Sequence, residues 1–174
     1  MKIELTKQQM REQWMARRYG EPCRLASGTV IREHQADVEA LAEREMRNWY
    51  LELLDTAEAR FLCPEEVGNK VMVNDMGDDT VEIVLPVGVR RVIAVRMEGW
   101  KREATMVEAD SVAARRLLNP FSRATNRSPV AVVTPTGRLR VTAVDGSTTV
   151  GSLLVVVDHG EERYVMDDSA LGLI

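Results

Sequence analysis

Histidine and cysteine are the residue types that most often ligate transition metals or act as nucleophiles, and this chain has two of each. His34 and His159 have no second ligand at helical or turn spacing, so the zinc patterns are not met. Cys23 and Cys63 lie forty positions apart, and neither belongs to a Cys-x-x-Cys pair. We therefore predict no metal site and no cofactor, with both cysteines as small buried hydrophobic residues.

The sequence also gives little indication of a phosphate-binding loop or of a pair of acid–base carboxylates. The chain contains neither Gly-x-x-x-x-Gly-Lys-Ser/Thr nor Gly-x-Gly-x-x-Gly. Its adjacent carboxylates fall in predicted loops or strand ends, where they lack the buried, differing environments that separate two catalytic pKa values. These pairs are Glu65-Glu66, Glu161-Glu162 and Asp167-Asp168. We predict that the protein is not an enzyme.

Three carboxylates lie close together at Asp75, Asp78 and Asp79. Oxygen ligands on a tight turn can hold calcium, which is one interpretation of this segment. The glycine falls at the wrong position for an EF-hand loop, and no glutamate follows at loop position 12. A solvated hairpin turn is the interpretation that the spacing favours.

The charges form blocks, although the net charge is only −4. Residues 1–32 carry a net +4, residues 33–86 a net −10, residues 87–140 a net +7 and residues 141–174 a net −5. Opposite blocks either satisfy one another inside a subunit or meet across interfaces between identical copies. The sequence leaves both arrangements open.

Arginine dominates the basic block, from Arg90 to Arg140. Its planar fork makes several hydrogen bonds at once, which suits interfaces. Few aromatic residues accompany these arginines, and the whole chain is acidic. Protein–protein contact, or non-specific contact with a DNA backbone, is therefore favoured over sequence-specific DNA binding.

Two helices are predicted before any strand. The first spans Lys7–Arg18, where Thr6 and Gln9 have the spacing of a capping box. The second spans Glu33–Ala59, a long amphipathic helix whose apolar residues recur at helical spacing. Its apolar face comprises Val38, Leu41, Ala42, Met46, Trp49, Leu53 and Ala57. Its length indicates either packing against a neighbouring subunit or extension past its own domain.

The hydrophobic period changes from 3.6 to 2 at Lys70. Strands are predicted from there, with a turn at 74–79 and a strand over 89–97. An antiparallel meander is predicted from Val130 to Met166, with a turn at Asp145-Gly146-Ser147 and a central strand over 153–157. A short inserted helix is predicted at 111–118, capped by Asp110. The fold class is α+β in a single domain, 1–174, with a helical part over 1–60 and an antiparallel β-rich part over 68–168.

No apolar run approaches the ~20 residues of a membrane span, and residues 1–7 lack the apolar stretch of a signal peptide. We expect a protein that has no membrane contact and works in a reducing, aqueous compartment.

Three segments carry a family resemblance. They are the run from Val84 through Leu85-Pro86 and the strand to Gly99-Trp100-Lys101-Arg102, then Asn119-Pro120-Phe121-Ser122-Arg123, then Ser128-Pro129 followed by four apolar residues. Together they resemble virion proteins of phages and prophages of Bacteroides-type bacteria. Those proteins look like neck or head–tail connector components, similar in plan to tail tubular and adaptor proteins. The resemblance covers about residues 80–166.

The resemblance implies a subunit of a ring of identical chains that contacts portal or tail proteins. It implies localisation in the virion after assembly in the bacterial host cytoplasm, and it carries over no catalytic residue. We take Trp100, Arg115, Arg116, Phe121 and Arg123 as the candidate interface residues. Trp100 and Phe121 are either packing anchors between subunits or ordinary core aromatics.

Two other functions are kept as alternatives. One is a soluble interaction or regulatory domain that binds a small partner or ligand and has a defined apolar pocket. The other is an enzyme without a recognisable motif, in which a pocket holds His34 or His159 beside a carboxylate or Cys63.

Overall fold

The computed structural model describes residues 1–19, 32–116, 125, 127–142 and 148–174. Within these ranges helices and strands are mixed and most strand pairs are antiparallel, which makes the class α+β. The elements in chain order are β1 (Lys2–Thr6), α1 (Lys7–Arg18), α2 (Arg32–Thr56), β2 (Glu65–Glu66), β3 (Met72–Gly77), β4 (Thr80–Val84), β5 (Val89–Met97), β6 (Thr105–Val107), α3 (Val112–Arg116), β7 (Val130–Val133), β8 (Arg138–Thr142), β9 (Val150–Val157) and β10 (Arg163–Asp167). Within the described ranges, short 3-10 helices lie at Ala59–Phe61, Gly68–Lys70 and Asp168–Leu173.

The chain divides into two compact units. Unit 1 contains residues 1–63 and 158–174, and unit 2 contains residues 64–157. The last strand therefore belongs with the N-terminal helices, whereas the sequence analysis assigned it to the β-rich part.

The predicted meander is wrong at β10. This strand pairs with β1 in an antiparallel ladder, from Lys2 opposite Asp167 to Thr6 opposite Arg163. The β1 strand was missed because its alternation lasts only five residues before the helix cap. Arg163 also reaches across the ladder, with its Nε 2.7 Å from Oε1 of Glu4.

Helix α1 begins and ends where it was predicted, and the capping box is confirmed. The Gln9 backbone N–H donates to the Thr6 hydroxyl at 3.3 Å, and the Thr6 N–H donates to the Gln9 side-chain oxygen at 2.9 Å. These two bonds satisfy backbone donors that a helix start leaves free. Met10 and Trp14, one turn apart, are buried.

Helix α2 begins one residue before and ends three residues before the predicted bounds. From residue 39 onward its buried side chains are Ala42, Met46, Tyr50, Leu53 and Leu54. Leu41, which was predicted on the apolar face, is 55% exposed. Tyr50 is buried instead, and its ring packs edge-on against Tyr164 of β10 with the ring centroids 4.8 Å apart.

Unit 2 contains two sheets, one ordered β2-β9-β5 and one ordered β3-β4-β8-β7-β6. Strand β9 is central in the first sheet, as predicted, and β5 has the predicted bounds. The second sheet is antiparallel except at β6–β7, which is parallel, so the prediction of a purely antiparallel part is wrong there. Thirteen buried side chains from both sheets and their connections form one core, including Val81, Ile83, Leu139 and Leu153.

Two local predictions need correction. Strand β3 runs through Gly77, so the predicted turn at 74–79 shrinks to its last residues. Helix α3 is capped by Ser111, whose Oγ accepts from the Ala114 N–H at 3.1 Å, and not by Asp110. The predicted turn at Asp145-Gly146-Ser147 lies outside the described residues.

Candidate assembly surface

One face of the five-stranded sheet carries a buried carboxylate between two arginines. Glu82 on β4 is 7% exposed, and it is the one charged residue among those described that is classed as buried. Arg138 Nη1 donates to Glu82 Oε2 at 2.7 Å, while Arg140 Nη2 lies 3.8 Å from Glu82 Oε1. One carboxylate thus holds the two guanidinium groups of strand β8 in place.

The alternation of the strands explains this placement. Val81 and Ile83 on β4, and Leu139 and Val141 on β8, have no exposed surface and form the core. Because successive strand residues point to opposite faces, the residues between and beside them must lie on the outer face. Strand register then sets Asn74, Glu82 and Arg140 side by side, and it sets Met72, Val84 and Arg138 side by side.

We call Met72, Asn74, Glu82, Arg138 and Arg140 the arginine face. The side chains of Arg138 and Arg140 are 50% and 45% exposed, and Met72 is 70% exposed. After Glu82 is counted, this face has one net positive charge. Guanidinium forks bind carboxylates and phosphates, and methionine adapts to irregular apolar surfaces, so this face can bind an acidic partner.

The β3–β4 hairpin ends in a two-residue turn with an unusual backbone. Asp78 and Asp79 have φ of +53° and +56°, and Gly77 pairs with Thr80 to close the turn. Two consecutive residues with positive φ are typical of a type I′ turn, which favours Asn-Gly. Asp75 Oδ1 accepts from the Gly77 N–H at 2.8 Å. Across the described ranges, no group of three or more His, Cys, Asp or Glu side chains could hold a metal ion.

The loop between β4 and β5 holds a fully exposed apolar residue. Val87, in the Leu85-Pro86-Val87-Gly88 segment, is exposed at 101%. The loop closes on itself, because the Val89 N–H donates to the Pro86 carbonyl at 3.3 Å. Val112 at the start of α3 is also largely exposed, at 64%.

Two of the five predicted interface residues have described side chains, Trp100 and Arg115. Trp100 is 6% exposed and belongs to the core of unit 2. Arg115 is exposed on α3, where its Nη2 donates to the Asp110 carbonyl at 3.2 Å. The backbone of Arg116 lies in α3, but its side chain is outside the described residues. Phe121 and Arg123 also lie outside them.

Glu82 was missed because its sequence context, Val81-Glu82-Ile83, reads as an ordinary exposed strand position. A signal was nevertheless present. Glu82 and the pair Arg138 and Arg140 have opposite charges at alternate positions of two strands, and such residues attract one another when the strands are neighbours. The sequence did not show that β4 and β8 are neighbours, since 53 residues, 85–137, lie between the end of β4 and the start of β8.

A second cluster of polar side chains lies within unit 1. Arg47 of α2 donates to Asp158 at 2.5 Å and to the Gly160 carbonyl at 3.0 Å, and its guanidinium lies 5.8 Å from the ring centroids of Tyr50 and Tyr164. Both charged partners are less than one-fifth exposed. These contacts hold the 158–160 turn against α2. Because Arg47 and Asp158 bond to each other, their role is structural.

Glu66 has a similar anchoring role in unit 2. Its carboxylate accepts from the Leu153 N–H at 2.7 Å, the Gly68 N–H at 2.9 Å and the Ser152 hydroxyl at 2.7 Å. Partial burial opposes ionisation of this carboxyl, but the three donors together outweigh it and lower its pKa below the ordinary value. The contact fixes β2 beside β9.

One histidine and one cysteine have described side chains. His159 is half-buried in the turn that Arg47 holds, and Cys63 is half-buried at the end of the first segment of unit 1. His34 and Cys23 have side chains outside the described residues.

Ion pairs also fix the ends of unit 1. A hydrogen bond from Lys7 Nζ lowers the pKa of Glu43, and the same contact raises the pKa of Lys7. The Met1 amino group lies 2.7 Å from Asp167 and 2.8 Å from Asp168, and the bond to Asp167 is the largest cause that raises the amine pKa to about 10.

Comparison with known proteins assigns no family. No protein-family model matches the chain. A search of curated proteins finds no match either. None of the helices in the described part of the chain is long and apolar enough to cross a membrane.

Proposed function

We propose that this chain is a phage virion assembly protein at the head–tail junction, a connector or adaptor subunit that acts by protein–protein contacts and not by catalysis. It assembles with copies of itself into a ring and contacts portal or tail proteins, with non-specific DNA-backbone contact as a secondary possibility. Assembly takes place in the host cytoplasm, and the finished ring belongs to the virion.

The observation that carries the proposal is the set of exposed apolar residues of unit 2, one of which lies within a segment that resembles connector proteins. Val87 is fully exposed within the Leu-Pro segment of that resemblance, and Met72 and Val112 are more than three-fifths exposed. Single exposed apolar residues are ordinary on a protein surface. Met72 belongs to the arginine face, so that face combines an exposed apolar side chain with charged groups, as an interface requires.

The charge distribution supports head-to-tail packing. A closed ring needs two different surfaces that complement one another on each subunit. Unit 1 has eleven Lys/Arg against sixteen Asp/Glu, whereas unit 2 has twelve against eleven. One subunit therefore offers an acidic region and an arginine-rich region, and contact between these regions on neighbouring copies is attractive.

The first test is the mass of the protein in solution, measured by light scattering on a sizing column, with negative-stain imaging of any large species. Rings, or binding to the portal ring encoded in the same genome, are the expected results. A monomer that also fails to bind that portal ring contradicts the proposal. A ligand-binding or regulatory domain would then be the better explanation.

A charge reversal tests the basic block. Replacing Arg115 and Arg116 together by glutamate should weaken ring assembly, and more strongly at low salt because exposed charges are then less screened. Reversal of Arg44, an exposed arginine of α2, serves as the matched control. Unchanged assembly of the Arg115/Arg116 variant removes α3 from the interface.

A further inference from the structure

We infer that the arginine face binds the acidic surface of a second copy of this chain, at the loop that carries Glu161 and Glu162. This inference rests on the proposed function and deepens it by naming the two surfaces of the subunit contact. The geometry of the arginine face, its apolar rim and the opposite charge of the Glu161–Glu162 loop point to this contact.

The geometry is fixed by Glu82. Arg138 is held by a 2.7 Å hydrogen bond, so its guanidinium is positioned before any partner arrives. Arg140 lies 3.8 Å from the same carboxylate, which is beyond hydrogen-bond distance, and about half of its side chain is exposed. A positioned guanidinium group loses less conformational entropy when it binds, so Arg138 is suited to recognise a carboxylate, and Arg140 beside it can reach a second one.

The apolar rim favours a protein partner over nucleic acid. Met72 is 70% exposed, and strand register sets Val84 between it and Arg138. Methionine and arginine are both enriched in protein interfaces. The strand positions that share this face with Arg138 and Arg140 hold no aromatic residue for stacking on bases.

The complement is present on unit 1 of another copy. Glu161 and Glu162 are both exposed in the loop between β9 and β10, within a unit whose acidic residues outnumber its basic residues by five. Arg138 and Arg140 are two residues apart on one strand face, about 7 Å along the strand. Two neighbouring glutamates on a loop can reach two cations at that separation, so each guanidinium receives one carboxylate.

The test measures self-association by sedimentation equilibrium at about 50 and 300 mM salt, where screening lengths differ by more than twofold. Arg140→Gln is the first variant, because Arg138 keeps its hydrogen bond to Glu82 and the fold is retained. The second variant carries Glu161→Gln and Glu162→Gln. Each should weaken association about tenfold at the lower salt concentration. Arg102→Gln, an exposed arginine outside this face, should change it less than twofold.

A mixing experiment makes the test specific. The two weakened variants, combined in equal amounts, still contain one intact arginine face and one intact acidic loop. They should therefore form mixed dimers with an affinity near that of the wild type. Mixed dimers as weak as either variant alone overturn the inference, as does a wild-type chain that stays monomeric at about 1 mM.

The outcomes separate this inference from the proposed function. Rings that form normally in the Arg140→Gln variant overturn the inference and leave the connector proposal standing. Weakened self-association in a protein that forms no ring and binds no portal supports the inference and contradicts the connector proposal. Duplex DNA binding that Arg140→Gln abolishes, with self-association unchanged, overturns the inference in favour of nucleic acid.

Discussion

Replacing Tyr50 by phenylalanine should destabilise unit 1 strongly while removing a single oxygen atom. Tyr50 has no exposed surface, and its hydroxyl makes two hydrogen bonds with the same residue of β10. It donates to the Val165 carbonyl at 3.1 Å and accepts from the Val165 N–H at 3.0 Å. Phenylalanine keeps the ring contact with Tyr164 but leaves both backbone groups of Val165 without this partner.

The expected loss of unfolding free energy follows from the two backbone groups of Val165. A buried backbone donor or acceptor left unsatisfied costs about 1–3 kcal/mol, so the loss should be about 2–4 kcal/mol of unfolding free energy. Urea denaturation monitored by circular dichroism measures it. Tyr19→Phe is the matched control, because Tyr19 is 57% exposed and its hydroxyl bonds only to the surface residue Glu45. That control should lose no more than about 0.5 kcal/mol.

The fall of the unfolding free energy at alkaline pH provides a second measurement on the same hydroxyl. Burial raises the pKa of Tyr50 to about 12. Below about pH 10 the phenol is neutral in both states, and the full stability is present. From there to about pH 12 only the unfolded chain ionises, so the wild type loses about 1.4 kcal/mol per pH unit through this group. The phenylalanine variant lacks that loss, and the gap between the two proteins should narrow.

A loss for Tyr50→Phe no larger than that of Tyr19→Phe would refute the assignment of these two hydrogen bonds. A gap that stays constant from pH 9 to pH 12 would refute the buried, neutral phenol, since the ionisation then contributes nothing.

Two further predictions concern unit 2. Asp79 has φ of +56° at the second central position of the β3–β4 turn, so Asp79→Gly should raise the unfolding free energy by about 0.5–1 kcal/mol. As a control, Asp55→Gly in the last turns of α2 should lower the unfolding free energy by a similar amount. Thermal or urea denaturation measures both variants, and a destabilised Asp79→Gly protein would contradict the turn assignment. The pKa of Glu66 is lowered in the folded state, so its contribution to stability is present above the unfolded pKa, near 4.3, and is lost as the pH falls through the folded value. Glu66→Gln should therefore flatten the acid limb of the stability curve, and an acid limb identical to that of the wild type would show that the three donors do not favour the ionised form.

Local patterns in the sequence predicted local structure well. The bounds of α1 follow from Thr6 and Gln9, which are three positions apart and need no distant partner. The buried, alternating positions of β8 follow equally directly from its own residues. In each case the sequence signal and the contact it predicts lie within one element.

Prediction failed where a contact joins distant parts of the chain. The residues around Trp100 did not decide between a packing anchor and an ordinary core aromatic. The ring lies in the core of unit 2, and the nearby Ala104 N–H bonds to the Val95 carbonyl at 2.8 Å. The candidate surface was missed for the same reason. Arg138 and Arg140 were identified as part of a basic block, whereas the buried carboxylate that positions them belongs to the acidic block.

The pairing partner of strand β10 could not be predicted from the residues of that strand alone. Its apolar run follows β9 so closely that a hairpin was the natural expectation. One edge of β10 is instead paired with β1, and on the other edge the backbone groups of Val165 bond to the Tyr50 hydroxyl. A side chain from α2 thus occupies a position where a further strand would otherwise pair. The hydrogen-bonding groups of Val165 are therefore already used, and a further strand cannot pair with β10 through them.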